Sequence, residues 1–248
     1  MIMILEASGI NLNHHRVHFT GNQIVMSYVG PKSRRPTEFV VLYSHGNAKD
    51  IGGKLGDYID MQKRFNCDVF SYDYPGYGQS TGVCSEAGLY EAIDVAFETL
   101  TRRYGIKPSR IILYGHSLGT VAAIDLASRQ EVAGVILNSP LLSAVRLVCS
   151  VNRKKYFWDL FDGSSKLEKI RAPVLVIHGQ KDEIIHHSHG ETIHKQCKNK
   201  VAPLFLPEAS HNSCNEFPEY TERISTFIHK EIKAQQIPTS PDKTQLSQ

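Results

Sequence analysis

Ser117 lies in Gly115-His116-Ser117-Leu118-Gly119. An apolar, β-branched run, Ile111 to Tyr114, leads into it, and a stretch of helical composition, Thr120 to Arg129, leads out. G-x-S-x-G between a strand and a helix has the sequence context of a nucleophile elbow. There the serine occupies a very sharp turn, so that its oxygen stands clear of the sheet. Glycines on both sides remove the Cβ atoms that would collide with the neighbouring chain. Without that context the same five residues describe only a Gly-rich turn.

A serine hydroxyl is a poor nucleophile at neutral pH. It needs a histidine to take its proton, and the histidine needs a buried acceptor to hold its tautomer. In the elbow template the order along the chain is Ser, then Asp or Glu, then His. Asp182, in Gly179-Gln180-Lys181-Asp182 after an apolar run, fits the acid, with the adjacent Glu183 as its rival. His211 fits the base. The chain has 12 histidines, so position after the last strand selects it, not scarcity. A developing oxyanion needs two N–H donors. The backbone of Leu118 supplies one. The loop after the run Phe39 to Ser44 supplies the other, with Asn47 the first choice and Ala48 the second. His45 and Gly46 read as shaping that loop, and Tyr74 and Tyr77 as structural. His186, His187, His189 and His194 lack the helical His pair and Glu of a zinc motif, so they read as a solvated stretch rather than a metal site.

These residues need a frame. The runs Arg16 to Phe19 and Ile24 to Val29, joined at Gly21-Asn22, predict an opening hairpin. Phe39 to Ser44, Val69 to Tyr72, Ile111 to Tyr114, Gly134 to Leu137 and Val174 to His178 are continuous apolar runs of strand length, the pattern of strands buried on both faces. Leu204 to Leu206 is a last short strand. Helical patterns fall between them: Lys54 to Phe65, then about Ser85 (the N-cap) to Tyr104 with Gly105 as the stop, then Gly190 to Cys197 and Tyr220 to Lys233. The expected fold is α/β, an α/β-hydrolase fold with a mostly parallel eight-stranded sheet and helices on both faces. One domain spans 1–234, and 235–248 is a polar, disordered C-terminal tail. In such sheets the site lies beyond the C-terminal strand ends. His45, Asp73, Ser117, Asp182 and His211 all follow predicted strands there.

Residues 140–171 break the rhythm and read as a small lid insertion. Within them Arg153-Lys154-Lys155-Tyr156-Phe157-Trp158-Asp159-Leu160-Phe161 joins three positive charges to four aromatics, including the only Trp. One reading is a lid packed on the domain. The sharper one is a lid that lines an acyl groove, with Trp158, Phe157 and Leu141 against the chain, and that touches an anionic membrane surface.

Composition bounds the rest. The chain has 248 residues, 41% hydrophobic and 21% charged, with a net charge of +3. That charge is too mild to imply nucleic acid. No apolar run is long enough to span a bilayer, and Met1 to Leu5 lacks the basic flank of a signal peptide. Cys67, Cys84, Cys149, Cys197 and Cys214 are scattered and odd in number, which predicts reduced thiols in a cytoplasmic protein.

The chain resembles the α/β-hydrolase domain-containing protein 17 family, serine hydrolases that remove fatty acyl groups from cysteines of membrane-associated proteins. The resemblance runs from about Arg16 to Lys233. Its most specific stretches are Leu42-Tyr43-Ser44-His45-Gly46-Asn47-Ala48, Phe70-Ser71-Tyr72-Asp73-Tyr74 with Gly76-Tyr77-Gly78, Arg103-Tyr104-Gly105-Ile106, Ser188-His189-Gly190 and His211-Asn212. It implies the same trio, Ser117, Asp182 and His211. Three differences stand out. His116 replaces the Gln usual before the nucleophile, and Ala209-Ser210 precedes His211 where a glycine is more usual. The first 66 residues hold no cysteine, whereas the family carries an acylated N-terminal cysteine-rich segment.

The expected function is hydrolysis of long-chain acyl thioesters, foremost S-palmitoyl cysteine, by a monomer with no metal or organic cofactor. Its partners are S-acylated proteins or acyl (thio)esters, met in the cytoplasm or at the cytoplasmic face of membranes through peripheral contact. The rivals are a general carboxylesterase or lipase on oxygen esters and a non-catalytic hydrolase-fold binding module.

Overall fold

The computed structural model describes residues 10–19, 21–31, 37–142 and 163–236. Eight strands form one sheet: β1 (Ile10–Phe19), β2 (Asn22–Pro31), β3 (Val40–Ser44), β4 (Asp68–Tyr72), β5 (Ile111–His116), β6 (Gly134–Asn138), β7 (Val174–Gly179) and β8 (Leu204–Leu206). Their spatial order is β1-β2-β4-β3-β5-β6-β7-β8. β1 with β2 and β2 with β4 are antiparallel, and every later pairing is parallel. The opening hairpin is longer than its apolar pattern suggested. Polar residues of an edge strand, such as Asn13 and His14, carry no hydrophobic signal but still complete a ladder with β2.

The helices are α1 (Ile51–Phe65), α2 (Glu86–Glu98), α3 (Gly119–Arg129), α4 (Gly163–Leu167), α5 (Ser188–Gln196), α6 (Pro218–Thr226) and α7 (Ile232–Gln236). α1 starts a turn earlier than its apolar spacing predicts, because Asp50 caps it by accepting from the Gly53 N–H at 2.7 Å. Ser85 caps α2 as expected, accepting from the Gly88 N–H at 3.0 Å.

The strands are buried on both faces, which explains their unbroken apolar runs. Val40 and Leu42 of β3, Ile111 and Leu113 of β5, and Val174 and Val176 of β7 enter one core with α2 and α3. The intervening Val41, Tyr43, Ile112, Tyr114, Leu175 and Ile177 enter the other, with α1 and α6. Of the insertion, α4 is described and residues 143–162 are not. Lys166 ties α4 to α3 by a 2.7 Å ion pair with Asp125, which also pairs with Arg129. Among the described residues none of Cys67, Cys84, Cys197 and Cys214 is in a disulfide. Helix continues through Gln236, two residues past the expected domain end, and 237–248 lies outside the described residues.

Candidate active site

The turn between β5 and α3 holds Ser117 at φ +53°, a left-handed conformation that costs a non-glycine residue free energy. Hydrogen bonds hold it there. The Ser117 N–H donates to the Asn138 carbonyl of β6 at 2.9 Å, and its own carbonyl accepts from the Thr120 N–H and hydroxyl. The Leu118 N–H lies at the start of α3, where unpaired amides and the helix dipole favour negative charge.

His211 and Asp182 arrive from the β8 and β7 sides. Ser117 Oγ lies 3.0 Å from His211 Nε2, and His211 Nδ1 lies 2.7 Å from Asp182 Oδ2. Ser117, Asp182 and His211 are all buried. The sequence-selected trio thus forms one hydrogen-bonded line. The rival acid lies elsewhere: Glu183 accepts from the His211 backbone N–H at 3.3 Å and not from the ring. Asp182 Oδ1 accepts from the N–H groups of Ile184 and Ile185 at 2.9 and 2.7 Å. Burial pushes the Asp182 carboxyl up, but hydrogen bonds from His178, His211 and Ile185 outweigh it and hold it well below the usual carboxylate range.

The loop expected to supply the second oxyanion donor follows β3. Gly46 packs against the elbow, where an added Cβ would lie 3.5 Å from Ser117 Cβ. The Ala48 N–H is already engaged, donating to Asn47 Oδ1 at 2.9 Å, which leaves Asn47 the better of the two candidate backbones. Tyr77 also donates to Asn47 Oδ1, at 2.7 Å. Behind the loop His45 Nε2 sits 3.3 Å from Asp73 Oδ1, the oxygen that accepts from the Ile51 N–H. Both side chains are buried, so this pair braces the loop, in keeping with a shaping role for His45.

Of the candidate groove residues, Leu141 is buried in the same core as Leu118, and Trp158 and Phe157 lie outside the described residues. The histidine stretch differs from its solvated reading. Only His186 is exposed. His187, His189 and His194 are half-buried, with His189 Nδ1 accepting from the Leu142 N–H and His194 Nε2 on the Val201 carbonyl. The apolar spacing of α5 is too weak to reveal that packing. Among the described residues no group of three His, Cys, Asp or Glu is placed to hold a metal. Sequence reasoning missed His178 on Asp182 and Tyr77 on Asn47. The only signal for His178 was a lone polar side chain ending the run Val-Leu-Val-Ile.

His116 is buried beside the elbow, its Nε2 3.4 Å from the His211 carbonyl. Burial, reinforced by His211, pushes it down to about 3. An unfolded chain would protonate this histidine below about 6.5. Between those values the unfolded state therefore binds a proton that the native state refuses, and stability falls as pH falls. His116→Gln is expected to remove up to about 1.4 kcal/mol per pH unit of that slope. Urea unfolding of both proteins from pH 7 to pH 4 checks it: their stabilities should diverge on acidification, with the variant losing less.

The family described as "Serine aminopeptidase, S33" matches residues 35–160. Alpha/beta hydrolase domain-containing protein 17C of Mus musculus is 47% identical over 202 residues, 82% of this chain. Protein 17B of Xenopus tropicalis is 43% identical over 212 residues, covering 86% of this chain and 73% of that protein. The chain belongs to the α/β-hydrolase domain-containing protein 17 family. It spans 62% of the length of mouse 17C and 60% of human 17C. Among solved structures, Est1E from Butyrivibrio proteoclasticus with bound ferulic acid superposes with a TM-score of 0.72 at 18% identity, covering 88% of this chain and 99% of that one. The Pyrococcus furiosus esterase Pf2001 superposes with a TM-score of 0.70 at 14% identity, covering 91% of this chain and 92% of that one. At those identities the likeness establishes the fold, an α/β hydrolase. The family assignment agrees with that fold. No helix among the described residues is long and apolar enough to cross a membrane.

Proposed function

We propose that this member of the 17 family hydrolyses long-chain acyl thioesters, foremost S-palmitoyl cysteine on proteins, through an acyl-enzyme. The observation that carries hydrolysis is the hydrogen-bonded line from Ser117 through His211 to Asp182. The thioester class rests on the family resemblance and on the aromatic and basic stretch at 153–161.

Ser117 Oγ attacks the acyl carbonyl while His211 Nε2 takes its proton. Asp182 holds the imidazole in the Nδ1–H tautomer and stabilises the imidazolium. The backbone N–H groups of Leu118 and Asn47 receive the oxyanion. The C–S bond then breaks. A thiolate leaves readily, so protonation matters less to the rate than it would for an amide; the sulfur takes the His211 Nε2 proton and departs as a thiol, which returns the imidazole to its neutral form. Water that gives its proton to His211 attacks the acyl-enzyme and releases the fatty acid and free Ser117. The chemistry asks for no metal or organic cofactor, and a monomer suffices. The expected setting is the cytoplasm or the cytoplasmic face of a membrane.

The test is turnover of a palmitoyl thioester and a matched acetyl ester. The long thioester should be cleaved faster, with the activity lost in Ser117→Ala. Turnover of the acetyl ester alone would replace this reading with a general carboxylesterase. No turnover, with no labelling of Ser117 by a fluorophosphonate, would make the chain a non-catalytic binding module.

A further inference from the structure

We propose that His178 is a positioning residue for Asp182, a second histidine that holds the carboxylate and divides its charge with His211. The role presupposes the hydrolytic reading above.

His178 is fully buried near the end of β7, where Val174, Leu175, Val176 and Ile177 are all apolar. Its Nε2 lies 3.1 Å from Asp182 Oδ2 and 2.9 Å from the Ile185 carbonyl. Both neighbours accept, so Nε2 carries the proton and Nδ1 holds the lone pair. Nδ1 has no partner. Burying an unpaired nitrogen costs free energy that an apolar side chain would not. Packing alone therefore does not account for a histidine here.

Its contact with Asp182 does. Asp182 Oδ2 sits between two ring N–H donors, His211 at 2.7 Å and His178 at 3.1 Å, while the backbone holds Oδ1. The carboxylate cannot rotate without breaking contacts on both oxygens. The shorter bond goes to His211, so the acid leans toward the base. Each donor also draws on the same negative charge. Without His178, the charge of Oδ2 would act on the His211 imidazolium alone.

α5 holds the ring from the other side. A Cβ at Gly190 would lie 2.6 Å from His178 Nδ1, so only glycine lets the helix come this close. Other titratable groups face the pair. His189 of α5 lies on the His178 side, with its pKa lowered by burial and by His178 and His186. On the His211 side are His116, with ring centroids 5.4 Å apart, Glu183 on the backbone N–H, and Cys214, electrostatically coupled to Asp182. None of these donates to Asp182 Oδ2, so His178 is the group whose removal changes what His211 feels.

The test measures the rate of Ser117 labelling by a fluorophosphonate against pH, which reads His211 as a base whatever the natural substrate. His178→Leu is expected to slow labelling by up to about 100-fold, the cost of misplacing a reacting group by about 1 Å. It should also move the acid limb up by roughly half a pH unit, because the imidazolium gains the undivided charge. His178→Gln, which returns an N–H near the Nε2 position, should restore the limb and most of the rate. Gly190→Ala, which leaves His178 in the chain but displaces its ring, should shift the limb in the same direction as His178→Leu. It keeps the test open if His178→Leu does not fold. Slower labelling with an unmoved limb in both variants would overturn the proposal and leave His178 a packing residue. No labelling of the wild type would overturn the hydrolytic reading and this proposal with it.

Discussion

Ser117→Ala is expected to lower turnover of a palmitoyl thioester by at least about 10⁴-fold, with thermal unfolding essentially unchanged. The activity loss follows from deleting the only atom that forms the covalent intermediate, Oγ, 3.0 Å from His211 Nε2. The unchanged stability follows from the backbone. Alanine must adopt the same φ of +53°, and the bonds that hold the turn use the Ser117 N–H and carbonyl, not its hydroxyl. His211→Ala should cost a similar factor, and the double variant little more, because nucleophile and base act as one unit. Intact mass after mixing with substrate should show an acyl adduct on the wild type and none on Ser117→Ala. An adduct on the variant would move the nucleophile elsewhere.

Gly119→Ala is expected to destabilise the fold by about 3 kcal/mol and to abolish activity with it. A Cβ there would lie 2.0 Å from the Ser44 carbonyl oxygen and 2.9 Å from that of His45. Both are backbone atoms, of β3 and of the loop that follows it, so relief requires moving the sheet or that loop. For a chain of this length, 3 kcal/mol corresponds to a Tm lowered by roughly 6–12 °C. Gly56→Ala is the control. That glycine is exposed within α1 with nothing near its Cβ position, so alanine should stabilise by about 0.5–1 kcal/mol. Thermal and urea unfolding of the two variants checks both signs. A harmless Gly119→Ala would mean that the turn after Ser117 is looser than its contacts require.

The two glycine variants differ only in what the rest of the molecule brings near them, and the same distinction runs through the whole chain. The sequence by itself determined the strand runs from β3 to β7, because strands buried on both faces must be apolar at every position. It determined the elbow, since its flanking glycines and its strand-to-helix setting are local. It also pointed to Ser117 and His211 and narrowed the acid to Asp182 with Glu183 as its rival, because chain order and position after a strand restrict each role to one or two residues. Only the tertiary structure decided between Asp182 and Glu183, neighbours in the chain that reach the ring and the backbone of His211 respectively. It alone decided that β4 pairs with β2 on one side and β3 on the other, that Tyr77 holds Asn47, and that His187, His189 and His194 pack against the domain. It alone brought His178 within 3.1 Å of the same Asp182 oxygen that His211 meets. The physical reason is range. Apolar period and turn chemistry are set by residues a few positions apart. A polar side chain's partner is set by where the sheet and helices carry distant segments, and an isolated histidine looks the same in sequence whether it meets solvent or a buried carboxylate.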